Sequence, residues 1–193
     1  MNKGRNGVYI FSKSKPKNCI TGVGYETFDQ DGRFLCLEYD NFCIINLYMP
    51  HGGRDIKNLD YKLKSYYKVL EFLSSMDNKN IIIVGDFNIA HSNLDVERYN
   101  DNKNNIMFTE EERNLLTELT NLNFIDVYRL LNPDSKEYTW WPYAYNARER
   151  NVGWRIDYCF VTHSVENEVK DIKLLKELLG SDHCPIRIEI NNI

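Results

Sequence analysis

Residues 81–88 read IIIVGDFN, in which a short run of aliphatic residues ends in a cluster of small and polar ones. A continuous apolar run of this length, rich in β-branched residues, is typical of a β-strand that is buried on both faces. The strand is predicted to deliver Gly85, Asp86, Phe87 and Asn88 to its C-terminal end. Polar residues at the tip of a buried strand are candidates for a functional site.

The sequence before this strand predicts a hairpin and a helix. Residues 33–39 and 42–48 are rich in Leu, Cys, Ile, Phe and Tyr, and the dipeptide between them, Asp40-Asn41, tolerates positive φ. The two runs therefore predict a β-hairpin. From Leu59 onward the apolar residues recur at steps of three and four positions, which predicts an amphipathic helix that ends near Met76.

After the strand, the sequence predicts a second helix and further strands. Thr109 and Glu112 have the spacing of a capping box, so a helix is predicted to begin there. The other segments are a polar loop at 98–105, strands at 154–161 and 186–190, and a stretch at 171–179 that fits either a helix or a strand. Strands that outnumber helices, with helices between some of them, predict an α/β fold with sheets packed face to face and flanked by helices.

The composition is that of one soluble globular domain. The 193 residues, of which 42% are hydrophobic and 27% charged, can bury a substantial core. No apolar run approaches the roughly 18 residues of a membrane span, and the first residues lack the apolar stretch of a signal peptide. The five cysteines are an odd number without a CxxC pair, so reduced thiols are expected, in the cytoplasm of a prokaryote or the nucleus of a eukaryote.

The formal net charge of -4 limits the choice of partners. It argues against a protein that coats nucleic acid nonspecifically, because that mode of binding depends on surplus Lys and Arg. It does not exclude a nuclease, because carboxylates that hold metal ions lower the net charge while local basic patches still contact phosphates.

Four polar clusters lie at the ends of predicted strands. They are Tyr48 in YMPHGGR, Asp86 and Asn88 in GDFN, Asp157 in GWRIDY, and Asp182 with His183 in GSDHCP. Taken singly, each is more often a turn or cap residue. Together they supply the carboxylates, imidazole, amide and phenol that could bind a metal ion, activate water and stabilise the transition state at a phosphate. We therefore predict that residues 85–88, Asp157 and Asp182 with His183 converge on one cleft.

The motifs GVYIFSK, GDFN, WRIDY and SDHCP, in this order and spacing, resemble the exonuclease III and abasic-site endonuclease branch of the endonuclease/exonuclease/phosphatase superfamily. GDFN and SDH alone also fit relatives such as DNase I, sphingomyelinases and inositol phosphatases, whereas NVGW is similar to the eukaryotic-type abasic-site endonucleases. The resemblance implies a four-layered α/β sandwich of two mixed sheets that, with Mg²⁺ or Mn²⁺, hydrolyses the DNA phosphodiester 5′ to an abasic site. It also allows 3′-5′ exonuclease and 3′-phosphodiesterase activity, with a monomer acting on double-stranded DNA.

Carried over by position, the resemblance also implies a role for each site residue. Asp86 would deprotonate or position the attacking water, and Asn88 would be its hydrogen-bonding partner at the phosphate. Tyr48 would hydrogen-bond the scissile phosphate. Asp157 would hydrogen-bond His183 and raise its pKa, which favours a cation that pairs with phosphate. The implied metal ligands are Asp182, Asp86, Asn88 and His183.

Recognition of the lesion is expected from a second group of residues. In the family, a small apolar pocket admits a base-free deoxyribose, and base flipping is least costly where no base is stacked. The matching residues are Trp140, Trp154 and Ile156, while Trp141 and Tyr143 are expected in the core. The expected phosphate contacts are Arg54, Arg148, Arg150 and Arg155, although a solvated charged face is an equal alternative for Arg148 and Arg150.

The chain also departs from the family pattern. An Asn near the start of the fold, and a Glu in a later strand that is a principal metal ligand, have no counterpart here, and His51 stands where an Asn is usual. The expectation is one domain over residues 1–193 that lacks its first strands and binds Mg²⁺ weakly. Besides a nuclease completed by an N-terminal segment, this leaves open a catalytically impaired DNA-binding remnant, half of a split enzyme, and a phosphatase acting on lipid or inositol phosphates.

Overall fold

The computed structural model describes residues 6–53, 58–77 and 80–191. The strands are β1 (Asn18–Ile20), β2 (Phe34–Glu38), β3 (Cys43–Tyr48), β4 (Ile81–Asp86), β5 (Phe124–Asp126), β6 (Asp157–Thr162), β7 (Val169–Leu174) and β8 (Ile186–Ile190). The α-helices are α1 (Glu26–Gln30), α2 (Leu59–Ser74), α3 (Tyr99–Asn102), α4 (Glu110–Asn121) and α5 (Val127–Leu131). Short 3-10 helices lie at Asn93–Asp95, Ala144–Asn146 and His163–Glu168.

The strands form two sheets, as the sequence predicts. The larger sheet has six strands in the order β1-β2-β3-β4-β6-β5, and β7 pairs with β8 in a separate antiparallel sheet. Only β3 and β4 pair in parallel within the larger sheet, so that sheet is mixed. The α/β fold class, the mixed larger sheet, the second sheet that faces it and the flanking helices are confirmed, whereas the smaller sheet is antiparallel and not mixed as expected.

The apolar run of β4 is buried on both faces because its side chains alternate between two cores. Ile81 and Ile83 pack in one cluster with residues of α2 and α4, including Leu70 and Leu116. Ile82 packs on the other side, in the cluster that also contains residues of α5, β6, β7 and β8. Strand β4 therefore lies between the helical layer and the smaller sheet.

The Gly of GDFN is required by the close approach of β3 and β4. A Cβ on Gly85 would lie 1.9 Å from the carbonyl oxygen of Leu47, and the φ of Gly85 is +140°. No side chain fits such a contact with neighbouring backbone, and L residues rarely adopt this φ. Gly85 thus allows the strand pairing that places Asp86 beside Tyr48.

Both predicted helices are present. The first, α2, begins at Leu59 and ends at Ser74, close to the predicted end. The second, α4, begins after Thr109, whose side chain accepts from the backbone N–H of Glu112 while the Glu112 side chain accepts from the backbone N–H of Thr109. None of the helices in the described ranges has both the length and the apolar character needed to cross a membrane.

Two local predictions need correction. The strand predicted at 154–161 begins only at Asp157, because Trp154 instead forms isolated bridges with Trp140 and Val96. Of the two alternatives for 171–179, the strand is correct as far as Leu174, because β7 runs from Val169 to Leu174 and pairs with β8. The polar loop at 98–105 contains the single-turn helix α3.

Candidate active site

Three of the predicted site residues lie side by side at the ends of neighbouring strands. Tyr48 ends β3 and Asp86 ends β4, and the parallel pairing of these strands places the two residues opposite each other. Asp157 begins β6 and is the antiparallel partner of Asp86. The register of the sheet therefore aligns a phenol and two carboxylates in one row.

His183 joins this row from the loop between β7 and β8. Its Nδ1 lies 2.8 Å from Oδ2 of Asp157, and a backbone bridge to Trp140 fixes the loop beside the sheet. One ligand atom each from Asp86, Asp157 and His183 can be chosen so that all lie within 4.8 Å of one another. The predicted convergence of these three side chains is confirmed, as is the predicted contact of Asp157 with His183.

Asn88 fixes the direction of the Asp86 carboxylate. The backbone N–H of Asn88 donates to Oδ1 at 2.8 Å, and its side-chain Nδ2 donates to Oδ2 at 3.0 Å. The same Nδ2 also donates to the carbonyl oxygen of Met49 at 2.9 Å. Asn88 has a left-handed φ of 50°, which Asn tolerates better than most residues. The GDFN turn thus holds both oxygens of Asp86, and the roles of Asn88 at the phosphate or at a metal ion stay predictions.

The surroundings of the site shift two pKa values in directions that suit chemistry at a phosphate. Burial raises the pKa of Asp86 to about 7, the charge of Asp157 adds to this, and cationic and hydrogen-bonding neighbours oppose it. Burial lowers the pKa of His183, but the hydrogen bond and negative charge of Asp157 outweigh burial and raise this pKa to about 9. Near neutral pH the site combines a carboxylate that can take up a proton with a cationic imidazole.

The donor atoms fit a hard divalent cation in part. Carboxylate oxygens are the ligands that Mg²⁺ and Mn²⁺ prefer, and Asp86 and Asp157 supply them. His183 fits less well, because its Nδ1 faces Asp157 and an imidazolium has no lone pair to offer a metal ion. Asp182 lies outside the three-residue group found among the described residues, and its Oδ2 accepts the indole N–H of Trp140 at 2.9 Å. The role of Asp182 as a metal ligand stays a prediction.

An apolar cavity adjoins the site through Trp140. It has a volume of about 540 Å³, and its lining includes Trp140, Trp154, Ile106 and Met107. Ile156, which is 2% exposed, belongs to the apolar cluster that packs with both tryptophans and does not line the cavity. The two tryptophans are thus placed as cavity walls, whereas Ile156 supports them from the interior.

Two further side chains that the sequence analysis did not single out support the site. Oγ1 of Thr139 accepts the backbone N–H groups of Ile156 and Asp157, each at 3.1 Å, and so fixes the start of β6. The guanidinium of Arg33 lies 4.6 Å from the ring centroid of Tyr48 and donates to the Tyr48 carbonyl oxygen at 3.1 Å. Each residue lies next to a predicted strand or motif, but a lone Thr or Arg there does not reveal such contacts.

The prediction that Arg155 contacts DNA phosphate is wrong. Arg155 is 1% exposed, and its guanidinium donates to Asp95 and to both carboxylate oxygens of Asp126. Arg148 is half-buried and donates to the backbone carbonyls of three residues in the loop that leads to Asp182, so it holds that loop in place. Arg150 is exposed, and Arg54 lies outside the described residues.

The aromatic residues near the NVGW segment divide between core and surface. Trp141 is 2% exposed, as predicted, but Tyr143 is 80% exposed and the prediction that it lies in the core is wrong. A Cβ on Gly153 would lie 2.4 Å from Nε1 of Trp141, so the Gly of NVGW allows the indole to pack against the backbone. This contact fixes the segment that carries Trp154 to the cavity.

Comparisons with known proteins agree with this arrangement. The model of the Endonuclease/Exonuclease/phosphatase family matches residues 1–183. Over 98% of its length, the chain is 37% identical to an exodeoxyribonuclease of Bacillus subtilis and spans 76% of that protein. Over 97% of its length, it is 43% identical to recombination repair protein 1 of Drosophila melanogaster but spans only 28% of it. An AP endonuclease structure from Archaeoglobus fulgidus matches 93% of the chain with a TM-score of 0.84 and 26% identity, and the match covers 72% of that structure.

Proposed function

Because the chain belongs to the endonuclease/exonuclease/phosphatase family, we propose that it is the catalytic part of a DNA-repair nuclease that hydrolyses the phosphodiester 5′ to an abasic site. We include 3′-5′ exonuclease and 3′-phosphodiesterase activity in this proposal. The observation that carries it is the meeting of Asp86, Asp157 and His183 within 4.8 Å, next to a cavity walled by Trp140 and Trp154.

The proposed chemistry divides between a base and phosphate-binding groups. Asp86 takes up the proton of the attacking water, because a pKa of about 7 makes it an effective base near neutral pH. His183, kept cationic by Asp157, donates a hydrogen bond to a phosphate oxygen and offsets negative charge there. The phenol of Tyr48, at the end of the adjacent strand, is a second donor to the phosphate.

Mg²⁺ or Mn²⁺, held by Asp86 and Asp157 with Asp182 as a further ligand, would lower the pKa of a water molecule and offset charge at the phosphate. Two adjoining carboxylates with no metal bound repel each other, as the raised pKa of Asp86 reflects. Because the described site has few carboxylates, Mg²⁺ would keep most of its waters and bind weakly.

The cavity provides the basis for lesion recognition in this proposal. Its walls include aromatic and aliphatic side chains that would favour the apolar face of a base-free sugar over water. Trp140 also donates to Asp182, next to His183, so the cavity wall and the catalytic loop are joined by one hydrogen bond. A sugar seated in the cavity would therefore lie close to the residues that act on its phosphate.

The proposal is tested by incubating purified residues 1–193 with duplex DNA that contains one abasic-site analogue, at several Mg²⁺ concentrations and with EDTA. We expect weak, EDTA-sensitive incision that leaves a 3′ end immediately 5′ to the lesion, and little incision of intact duplex. Asp86→Asn should abolish incision. Asp171→Asn, which changes a carboxylate on the smaller sheet, should leave it unchanged.

Other outcomes would redirect the assignment. Binding of abasic DNA without incision at any Mg²⁺ or Mn²⁺ concentration would indicate a catalytically impaired DNA-binding module. Hydrolysis of inositol or lipid phosphates instead of DNA would show that the substrate class is wrong. Incision that persists in Asp86→Asn would remove Asp86 from the role of base.

A further inference from the structure

A buried lysine lies directly beneath the GDFN turn. Lys62, on α2, is 0% exposed, and its Nζ donates to the carbonyl oxygen of Asn88 at 2.7 Å. Nζ also donates to the carbonyl oxygen of His51 at 3.3 Å and to Oε1 of Glu112. Burial lowers the pKa of Lys62 and Glu112 opposes this shift. The three acceptors match the three N–H donors of an ammonium group, so the arrangement fits the charged form.

Glu112 connects this lysine to the wall of the cavity. Its Oε1 also accepts the backbone N–H of Met107 at 3.0 Å, and its Oε2 accepts the backbone N–H and the hydroxyl of Thr109 at 3.1 and 2.8 Å. Met107 and Thr109 both line the cavity that Trp140 and Trp154 wall. The buried pair of Lys62 and Glu112 therefore joins the cavity wall to the turn that holds Asp86.

The contact with Asn88 bears on the geometry of the base. Asn88 has a left-handed φ of 50°, and its backbone and side-chain N–H groups hold the two oxygens of Asp86. A left-handed residue is strained unless its surroundings stabilise it. The charge-assisted bond from Lys62 to the Asn88 carbonyl supplies such stabilisation.

We infer that Lys62 and Glu112 are positioning residues for the proposed reaction, which fix Asn88, and through it the carboxylate of Asp86, relative to the cavity wall. The inference rests on the proposed nuclease function. It assigns no contact with substrate to either residue, since both are fully buried. They act by directing the Asp86 carboxylate, and the charge of Lys62 also lowers the pKa of that carboxyl, which burial raises.

The test uses the double variant Lys62→Met with Glu112→Gln, because removal of one partner alone would leave a buried charge unpaired. For incision of abasic-site DNA, we expect kcat to fall at least about tenfold, since small misplacement of a catalytic group is costly, while KM stays within about threefold. Leu70→Ala, a cavity-forming change on the same helix, is the control for lost stability and should leave kcat unchanged below its unfolding temperature.

A second measurement does not depend on turnover. Hydrogen exchange of the Asn88 backbone N–H, followed by NMR, should be at least about tenfold faster in the double variant than in the wild type or in Leu70→Ala, because the turn loses its support. A folded double variant with wild-type kcat and wild-type exchange at Asn88 would overturn the inference. If the wild type incises no DNA, the proposed function fails, and the exchange measurement alone decides whether the pair supports the turn.

A double variant that does not fold would be replaced by Lys62→Arg, which keeps the positive charge but moves the donor atoms. We expect the same separation of kcat from KM and faster exchange at Asn88. Wild-type kcat together with wild-type exchange in Lys62→Arg would overturn the inference as well.

Discussion

Two pairs of aspartates have opposite surroundings in this molecule: one is Asp86 with Asp157, and the other is Asp95 with Asp126. Asp86 and Asp157 face each other across β4 and β6, and burial and mutual repulsion raise the pKa of Asp86. Asp95 and Asp126 instead share the guanidinium of Arg155. Burial also tends to raise the pKa of Asp95, but the Arg155 guanidinium outweighs burial and holds that pKa below its usual range.

The difference lies in the partners of the carboxylates and not in the residue type. An Arg placed between two carboxylates offsets their charges, and Asp95 pairs with Arg129 as well, so the group around Arg155 stabilises the fold. Two carboxylates placed beside each other repel, and they gain from a proton or a metal ion. The cluster around Arg155 is therefore structural and the pair of Asp86 and Asp157 is reactive, and three measurements test this difference.

The largest expected effect is on turnover. Asp86→Asn should reduce incision of abasic-site DNA by about 100- to 10,000-fold, because it removes the proposed general base. It should not reduce stability at pH 8. In the folded wild type the Asp86 carboxyl stays protonated up to about pH 7, whereas in the unfolded chain an Asp loses its proton near about pH 4. The stability of the wild type therefore falls as pH rises between these values. The Asp86→Asn variant cannot ionise at this position, so it does not lose this stability.

The check on this prediction is a urea titration of both proteins at pH 5 and pH 8 without metal, beside single-turnover kinetics with Mg²⁺. If the variant is less stable than the wild type at pH 8, Asp86 stabilises the fold as Asp95 and Asp126 do, and its assignment as a reactive carboxylate is wrong.

The next largest effect is on stability. Arg155→Met should lower the free energy of unfolding by about 3–5 kcal/mol, because it leaves the buried carboxylate of Asp126 without its cation and Asp95 with Arg129 alone as a cation. Arg187→Met removes a cation from an ion pair on the smaller sheet, where Arg187 is 55% exposed, and should cost less than about 1 kcal/mol. Urea unfolding of both variants at pH 7 provides the measurement. Equal losses in the two would show that the buried cluster adds no special stability.

The smallest expected effect is on the pH at which His183 titrates. Without metal, His183 should titrate near pH 9, and Asp157→Asn should lower this midpoint by at least about one pH unit, since the hydrogen bond and charge of Asp157 raise it. The stability gained from this pair should be fully present below the unfolded pKa of about 6.5 and be lost as pH rises through about 9. NMR of the His183 ring in both proteins measures the midpoints, and identical values would remove the coupling.

Much of this arrangement could be predicted from local sequence. The hairpin, α2, the α4 cap and the strand at 81–88 follow from periodicity and capping, because these features depend on neighbours along the chain. The convergence of Asp86, Asp157 and His183 could be predicted because chemistry on a single phosphate requires their side chains within a few ångströms of it.

The remainder depends on partners that are distant in sequence. Arg155 lies in a basic stretch, and only the fold reveals that Asp95 and Asp126 enclose it. Lys62 precedes an apolar stripe on α2, where a charged residue is read as exposed, and its partner Glu112 belongs to another helix. A charged side chain is buried when a partner of opposite charge from a distant part of the sequence lies beside it, and a local sequence pattern does not predict such a partner.

The alignment of Tyr48, Asp86 and Asp157 also has a consequence for how the protein matures in a cell. The three residues come from strands far apart in sequence, so their row exists only when β3, β4 and β6 are paired in the correct register. A slip of one residue in β4 would turn Asp86 to the opposite face of the sheet. Long-range strand pairings are slow to form, so under the proposed function a chain whose strands are not yet paired in register would lack the aligned site and could not cut DNA.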